Sequence, residues 1–126
     1  MIVDTDILIW YFRGNKKAFE FIEKQNSFFI SVVTYMEIVT GMRNKHELNL
    51  FRNSLKTWNV NIFHISEEIS ARAAFYLEHH FLSHALQLAD ALIAATANVC
   101  RQPLASGNVK HFKMIDQLEL IKFKPE

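Results

Sequence analysis

Residues 1–10 read MIVDTDILIW, in which two acids separate a short apolar run from a longer one. Residues 1–3 predict a short buried strand, and residues 7–12 predict a short helix. Asp4 and Asp6 therefore stand where the strand ends and the helix begins. An acid at such a position caps the helix, or it binds a metal ion at the edge of a sheet. The remaining sequence is needed to distinguish these two interpretations.

The composition is that of a globular domain without a strong charge. The chain has 126 residues, the size of about one domain, and 50% of them are hydrophobic. It lacks both an apolar run of about 18 residues and a signal-peptide pattern, so we expect a cytoplasmic protein without membrane contact. One cysteine excludes an intrachain disulfide and a cysteine-based zinc cluster. With a net charge of +1, only local basic groups can bind a nucleic acid.

Apolar runs and helically spaced apolar residues alternate along the rest of the chain. Further strands are predicted at residues 27–33, 60–65, 103–106 and 118–123. Helices are predicted at residues 16–24, 34–42, 46–58 and 88–99, and Ser66 is the predicted N-cap of a helix that ends at about residue 78. Strands separated by helices predict one domain over residues 1–126. Its fold class is a three-layer α/β/α domain with a mostly parallel central sheet of about five strands.

Four segments of this predicted fold bring a side-chain oxygen to one edge of the sheet. Binding sites in parallel sheets form at the carboxyl ends of the strands. Asp4 ends the first strand, Glu37 lies in the first turn after the second, and Asn108 follows the strand at 103–106. The helix at 88–99 leads back to the start of that strand, so Asp90, near the start of the helix, lies at the same edge.

Helix capping is the alternative explanation for each acid. Asp4, Asp6 and Asp90 could cap helices, and Thr34-x-x-Glu37 has the pattern of a capping box. Asp90, however, stands between apolar residues, with no Lys or Arg within ten residues on either side. An ionised carboxylate in such surroundings is costly unless it is paired or bound to a cation. Converging carboxylates likewise favour a divalent cation, and oxygen ligands suit Mg²⁺ or Mn²⁺.

Four motifs together resemble one known family. They are VDTDILI (3–9), SVVTYMEIVTGM (31–42), LADALIAATA (88–97) and SGNVKHF (106–112). In this order they resemble the PIN-domain family and, more narrowly, the VapC-type ribonuclease toxins of prokaryotic toxin–antitoxin systems. The resemblance covers nearly the whole chain. It implies a small α/β fold and an Mg²⁺- or Mn²⁺-dependent endoribonuclease that cleaves RNA phosphodiesters with metal-activated water.

The resemblance also assigns roles by position. The metal ligands and catalytic acids would be Asp4, Glu37 and Asp90, with Asn108 in the fourth catalytic place. Asp6 is expected to point away along the helix start, where it would cap the helix or support the site. Ser31 or Thr34 would orient the metal ligands without contacting the metal ion.

This chain departs from the family pattern at the fourth position. Many PIN nucleases have an acid there, whereas this chain has Asn108, so the site carries one negative charge fewer. His111 follows, where Asp-Phe is frequent, and is either a proton carrier or a structural turn residue. The basic residues expected to hold the RNA backbone are Arg13, Lys16, Arg43 and Lys110.

The resemblance further implies two protein partners. One is a cognate VapB-like antitoxin, a segment of which would cover the acidic groove, and the other is a second copy of the chain in a homodimer. Candidate interface residues are Trp10, Tyr11 and Phe12, or the side chains around Phe51. Two alternatives stay open: a catalytically weak PIN-fold interaction module, and a related metal-dependent DNA nuclease.

Overall fold

The computed structural model describes residues 1–84 and 86–126, and these residues form five strands and seven helices. In chain order the elements are β1 (Ile2–Val3), α1 (Thr5–Phe12), α2 (Lys16–Glu23), β2 (Phe28–Ser31), α3 (Val32–Thr40), α4 (Lys45–Thr57), β3 (Val60–Phe63), α5 (Glu67–His84), α6 (Leu88–Val99), β4 (Leu104–Ser106), α7 (Val109–Phe112) and β5 (Leu120–Lys122). Among the described helices, none combines the length and the apolar character needed to cross a membrane.

The five strands form one sheet in the order β3-β2-β1-β4-β5, and all neighbouring strands are parallel. The chain builds the sheet outward from β1 to β3 on one side and then adds β4 and β5 on the other. The strand order therefore reverses between β1 and β4. In parallel sheets a ligand site forms at the carboxyl end of this switch point. The predicted three-layer α/β/α fold is confirmed.

Successive side chains of the central strands point to opposite faces of the sheet, and each face has its own hydrophobic core. Ile2 and Leu104 pack into a core with α5 and α6, whereas Val3 and Ala105 pack into a core with α1, α2 and α4. All four side chains are fully buried. Because helices cover both faces, the central strands β1 and β4 are apolar except for the last residue of β4, Ser106. A continuous apolar run was the strand signal there, whereas β3 includes the polar residue Asn61.

The boundary between β2 and α3 differs from the predicted one. The predicted strand 27–33 ends early, at Ser31, whose Oγ accepts the N–H of Val33 at 3.0 Å and caps α3. Val32 and Val33 favour strands, but both are buried in the helix, so tertiary packing overrides their preference. The capping box that was the alternative explanation for Thr34 and Glu37 is therefore excluded, because Ser31 is the N-cap. Glu37 lies in the second turn of α3, not the first.

The start of α5 follows the prediction, and its end does not. Ser66 Oγ accepts the N–H of Ile69 at 3.2 Å, which confirms the predicted cap. The helix continues to His84, beyond the predicted end near residue 78. No Gly or Pro interrupts residues 67–84, and Tyr76 is buried in the core formed with α6. The additional residues after position 78 are mostly exposed, so the helix extends beyond the part that packs against α6.

Candidate active site

Asp4 lies at the carboxyl end of β1, next to the end of β4. Its backbone N–H donates to Ala105 O at 2.9 Å, which continues the pairing of the two strands. Its side chain is buried and accepts two hydrogen bonds, from Thr5 N–H at 2.8 Å and from the Ser106 hydroxyl at 2.6 Å. Asp4 is thus the N-cap of α1 and also part of the sheet edge. Its role as a helix cap is therefore compatible with metal binding at the edge of the sheet.

The loop after β4 holds the second acid in place. Gly107 N–H donates to Asp6 Oδ2 at 2.9 Å, and Asn108 N–H donates to Ser106 Oγ at 2.9 Å. A Cβ atom at Gly107 would stand 2.7 Å from Asp6 Oδ2 and 3.3 Å from Phe123 O. Since one of these neighbours is backbone, a larger residue would displace the carboxylate. The glycine is needed here because the loop closes tightly over Asp6.

Asp6 does not point away along α1, so this prediction is wrong. Its carboxylate turns back to the loop after β4, and the neighbouring Asp4 and Asp6 carboxylates interact electrostatically. Its Oδ1 atom is buried and makes no hydrogen bond. Residues 4 and 6 come together because the first turn of a helix starts between them. The two acids form one pair at the site.

A hydroxyl pair connects α1 with α3. Thr5 Oγ1 lies 2.7 Å from Glu37 Oε1 and 2.9 Å from Thr34 Oγ1. An ionised carboxylate only accepts, so the Thr5 hydroxyl donates to Glu37 and the Thr34 hydroxyl completes the pair. Thr34 is fully buried, and its hydroxyl contacts the Thr5 hydroxyl that holds Glu37. Ser31, the other candidate, has its side-chain oxygen engaged in the cap of α3.

Asp90 and His111 form the second pair. Asp90 lies in the first turn of α6 with its side chain 16% exposed, so it is less buried than expected. Its neighbour is neither Lys nor Arg: His111 Nδ1 of α7 stands 3.4 Å from Asp90 Oδ2. Among the side chains that the structure describes, the buried nitrogen or oxygen atoms without a hydrogen-bond partner are His111 Nδ1 and Asp6 Oδ1. Both lie among the predicted site residues.

The first pair of acids is strongly perturbed. Burial, and after it the charge of Asp6, raise the pKa of Asp4 to about 7. Hydrogen bonds from Ser106 and Thr5 act in the opposite direction. Burial also raises the pKa of Asp6, although the Gly107 N–H favours its charged form. Two buried carboxylates that repel each other retain a proton near neutral pH unless a cation binds.

Asp90 also has a perturbed pKa, and it interacts electrostatically with Asp4. Burial raises the pKa of Asp90, His111 opposes this effect, and the charge of Glu37 adds to it. Asp90 in turn raises the pKa of Asp4. The predicted acids Asp4, Glu37 and Asp90 come from β1, α3 and α6, and electrostatic interactions connect Asp4 with Asp90 and Asp90 with Glu37.

The other predicted residues lie at the edge of this site or outside it. Asn108 is half-buried before α7, and its side chain does not cap that helix. Arg43 is largely exposed and forms an ion pair with Glu47 of α4 at 2.7 Å. The remaining basic candidates are exposed: Arg13 at the end of α1, Lys16 at the start of α2 and Lys110 on α7.

Three small residues of the site were missed in the sequence: Thr5, Ser106 and Gly107. Ser106 is the last residue of the predicted strand 103–106 and Gly107 is the next one, so the strand-end rule that selected Asp4 also applied to them. Thr5 stands between the two acids, and nothing in its neighbouring sequence indicates a contact with α3. Small polar residues are common at such positions in any fold. Their contacts became visible only with α1, α3 and β4 in place.

The donor set fits a hard divalent cation that keeps part of its water shell. In residues 1–84 and 86–126, no three acid, imidazole or thiol groups stand close enough to form a ligand set. Mg²⁺ is commonly bound by one or two carboxylates, with water and substrate phosphates as further ligands. The unpartnered Oδ1 of Asp6 and the raised pKa values of Asp4 and Asp90 are what such a cation would relieve.

Comparison with known proteins defines the class. The family model of the PIN domain matches residues 1–116, and the chain belongs to the PIN-domain family. It is 36% identical over 123 residues to Ribonuclease VapC10 of Mycobacterium tuberculosis, covering 94% of this chain and 90% of that protein. Ribonuclease VapC1 of Methanocaldococcus jannaschii is 28% identical over 124 residues, which cover 95% of this chain and 84% of that protein.

A solved structure agrees with this assignment. A chain of a toxin–antitoxin complex from Klebsiella pneumoniae superposes with a TM-score of 0.80 at 32% identity. The match covers 99% of this chain and 97% of that one. Within the PIN-domain family, the chain therefore belongs with the VapC ribonucleases of toxin–antitoxin systems.

Proposed function

We propose that this protein is an Mg²⁺- or Mn²⁺-dependent endoribonuclease and the toxin of a type II toxin–antitoxin system. The observation that carries the proposal is the convergence of Asp4, Glu37 and Asp90, two of which have raised pKa values. Such a cluster is a poor arrangement for stability and a suitable one for a divalent cation. The relatives named ribonucleases support RNA as the substrate.

In this proposal, Asp4, Glu37 and Asp90 hold the cation and Asp6 supports Asp4. When bound, the cation lowers the pKa of water and offsets the charge of the phosphodiester being cleaved. The protein contributes orientation. Ser106 and the Thr5 N–H hold the Asp4 carboxylate, and the Thr5 hydroxyl holds Glu37.

Positive charge near the site would bind the RNA backbone. Lys110 follows Asn108 on α7 and is exposed, and exposed Arg13 lines a hollow together with Glu37. The net charge of +1 supplies little long-range attraction. Binding of a polyanion to so few basic groups is expected to weaken as salt increases.

Metal dependence is tested with the EDTA-treated protein on RNA and on single-stranded DNA of the same sequence. RNA cleavage is expected only after Mg²⁺ or Mn²⁺ is added, with a 5′-phosphate on the product, which end-group analysis shows. Cleavage of RNA in EDTA would overturn the metal dependence. Cleavage of DNA alone would favour the DNA nuclease, and failure to cleave either substrate would favour the interaction module.

We further propose that a segment of the cognate antitoxin binds in a groove beside Glu37. Two adjoining hollows of about 290 and 330 Å³ share Phe12, Gly41 and Met42 as lining residues. Exposed apolar side chains contribute to the lining of this groove: Ile9, Phe12 and Leu50. An apolar segment lying there would also cover the acidic edge at Glu37. A solved toxin–antitoxin complex with the same fold supports such a partner.

The change Phe12→Glu is expected to weaken antitoxin binding about tenfold or more, because it places a charge in the apolar groove. RNA cleavage should change little. Isothermal titration calorimetry with the antitoxin encoded beside this chain measures the effect. The matched control is Phe19→Glu, since Phe19 is similarly exposed (53% against 42%) and does not line the groove. Equal antitoxin affinity of both variants and the wild type would exclude the groove.

Homodimerisation stays a prediction that sedimentation equilibrium can check.

A further inference from the structure

His111 carries a buried ring nitrogen that makes no hydrogen bond. The side chain as a whole is 37% exposed, yet its Nδ1 atom is shielded from water and unpartnered. A buried polar atom without a partner costs free energy, so native structures contain few of them. This atom lies 3.4 Å from Asp90 Oδ2, which is within ion-pair distance but longer than an ordinary hydrogen bond.

The position of the imidazole is set by the backbone around it. His111 N–H donates to Asn108 O at 2.9 Å, and the next residue, Phe112, is fully buried. Two donors bound to one cation at about 2.1 Å each are about 3.0 Å apart when they meet at a right angle. The separation of 3.4 Å between Nδ1 and Oδ2 is close to that value. The two atoms can reach the same ion with small movements.

We propose that His111 Nδ1 is a ligand of the divalent cation and makes this site prefer Mn²⁺ to Mg²⁺. The inference rests on the proposed metal site and adds a ligand to it. Asn108 leaves the site with one charge fewer than an acid there would give, which weakens it for Mg²⁺. Mg²⁺ binds almost entirely through oxygen. Mn²⁺ also prefers oxygen ligands, but it belongs to the first-row series of metals that bind sites with nitrogen donors, so an imidazole favours it over Mg²⁺.

The metal preference is tested by calorimetry on the metal-free chain, titrated with MnCl₂ or MgCl₂. The wild type should bind Mn²⁺ at least about tenfold more tightly than Mg²⁺. His111→Leu should lower the Mn²⁺ affinity about tenfold and change the Mg²⁺ affinity by about twofold at most. The control His79→Gln should change neither, because His79 lies on α5 with its ring against Phe75. Equal losses for both metals, or no loss, would overturn the proposal.

Pulsed electron paramagnetic resonance on the Mn²⁺-loaded wild type tests the ligand itself and needs no variant. Coupling of Mn²⁺ to an imidazole ¹⁴N is expected, and its absence would overturn the proposal. Asp90→Asn separates this inference from the function on which it rests. If Mn²⁺ binds in an Asp90-dependent manner without nitrogen coupling, only the role of His111 fails. If the wild type binds neither metal, both proposals fail.

Discussion

Replacing Asp90 by Asn is expected to reduce RNA cleavage at least about a hundredfold while the protein stays folded. The amide has nearly the same shape as the carboxylate, but it supplies no negative charge to a cation. The same change removes the repulsion between Asp90 and Glu37 that contributes to the raised pKa of Asp90. The metal-free variant should therefore be as stable as the wild type or more stable. A loss of activity without a loss of stability separates a chemical role from a structural one.

This result is measured as the initial rate of RNA cleavage at saturating Mn²⁺, with thermal unfolding followed by circular dichroism. Asp116→Asn is the matched control. Asp116 is an exposed acid between α7 and β5, and its backbone oxygen accepts a hydrogen bond from the Asn98 side chain. The control should retain the wild-type rate. Full activity of Asp90→Asn would remove Asp90 from the proposed site.

Replacing Asp4 by Asn is expected to stabilise the metal-free protein by about 2–3 kcal/mol near pH 8, the balance of two effects. Burial and the charge of Asp6 raise the pKa of Asp4 from 3.8 to about 7. This rise corresponds to about 4 kcal/mol, since a pKa change of one is worth about 1.4 kcal/mol. Asn keeps the acceptor for Thr5 N–H but cannot accept from the Ser106 hydroxyl with its amino group. Losing this hydrogen bond lowers the expected stabilisation of the variant by about 1 kcal/mol.

The direction of the pH dependence follows from the raised pKa. Between pH 4 and 7, folded Asp4 keeps its proton while unfolded Asp4 has lost it. The unfolded state binds fewer protons in this interval, so the free energy of unfolding falls as the pH rises. The amide that replaces the carboxyl group in the variant does not titrate. The stability difference in favour of the variant should therefore grow from about pH 4 to about pH 7 and then level off.

Urea unfolding in EDTA at several pH values measures this difference, because the other titrating groups are common to both proteins. Added Mn²⁺ should reverse the order, since the wild type gains stability from a ligand that binds only its folded state. A variant that is less stable than the wild type at pH 8 in EDTA would contradict the prediction. So would a stability difference that does not change with pH.

Much of the fold and part of the site were predictable because they depend on local pattern. Buried parallel strands are mostly apolar, so residues 1–3 and 103–106, which are apolar except for Ser106, could be predicted as strands. In parallel sheets the strand ends meet at one edge, which is why Asp4 and Asp90 could be placed together. The β2–α3 boundary could not be predicted in this way. Val32 and Val33 favour strands, and only burial against the neighbouring elements makes them helical.

The sequence by itself determined that MIVDTDILIW contains a strand, a helix start and two acids at a sheet edge. Only the tertiary structure decided what the acids do. It turned Asp6 back to Gly107, joined Ser106 to Asp4 across 102 residues of sequence and placed His111 beside Asp90. The physical reason is that strand and helix patterns arise from neighbouring residues. The direction of a side chain, and its pKa, depend on whatever distant segment packs against it.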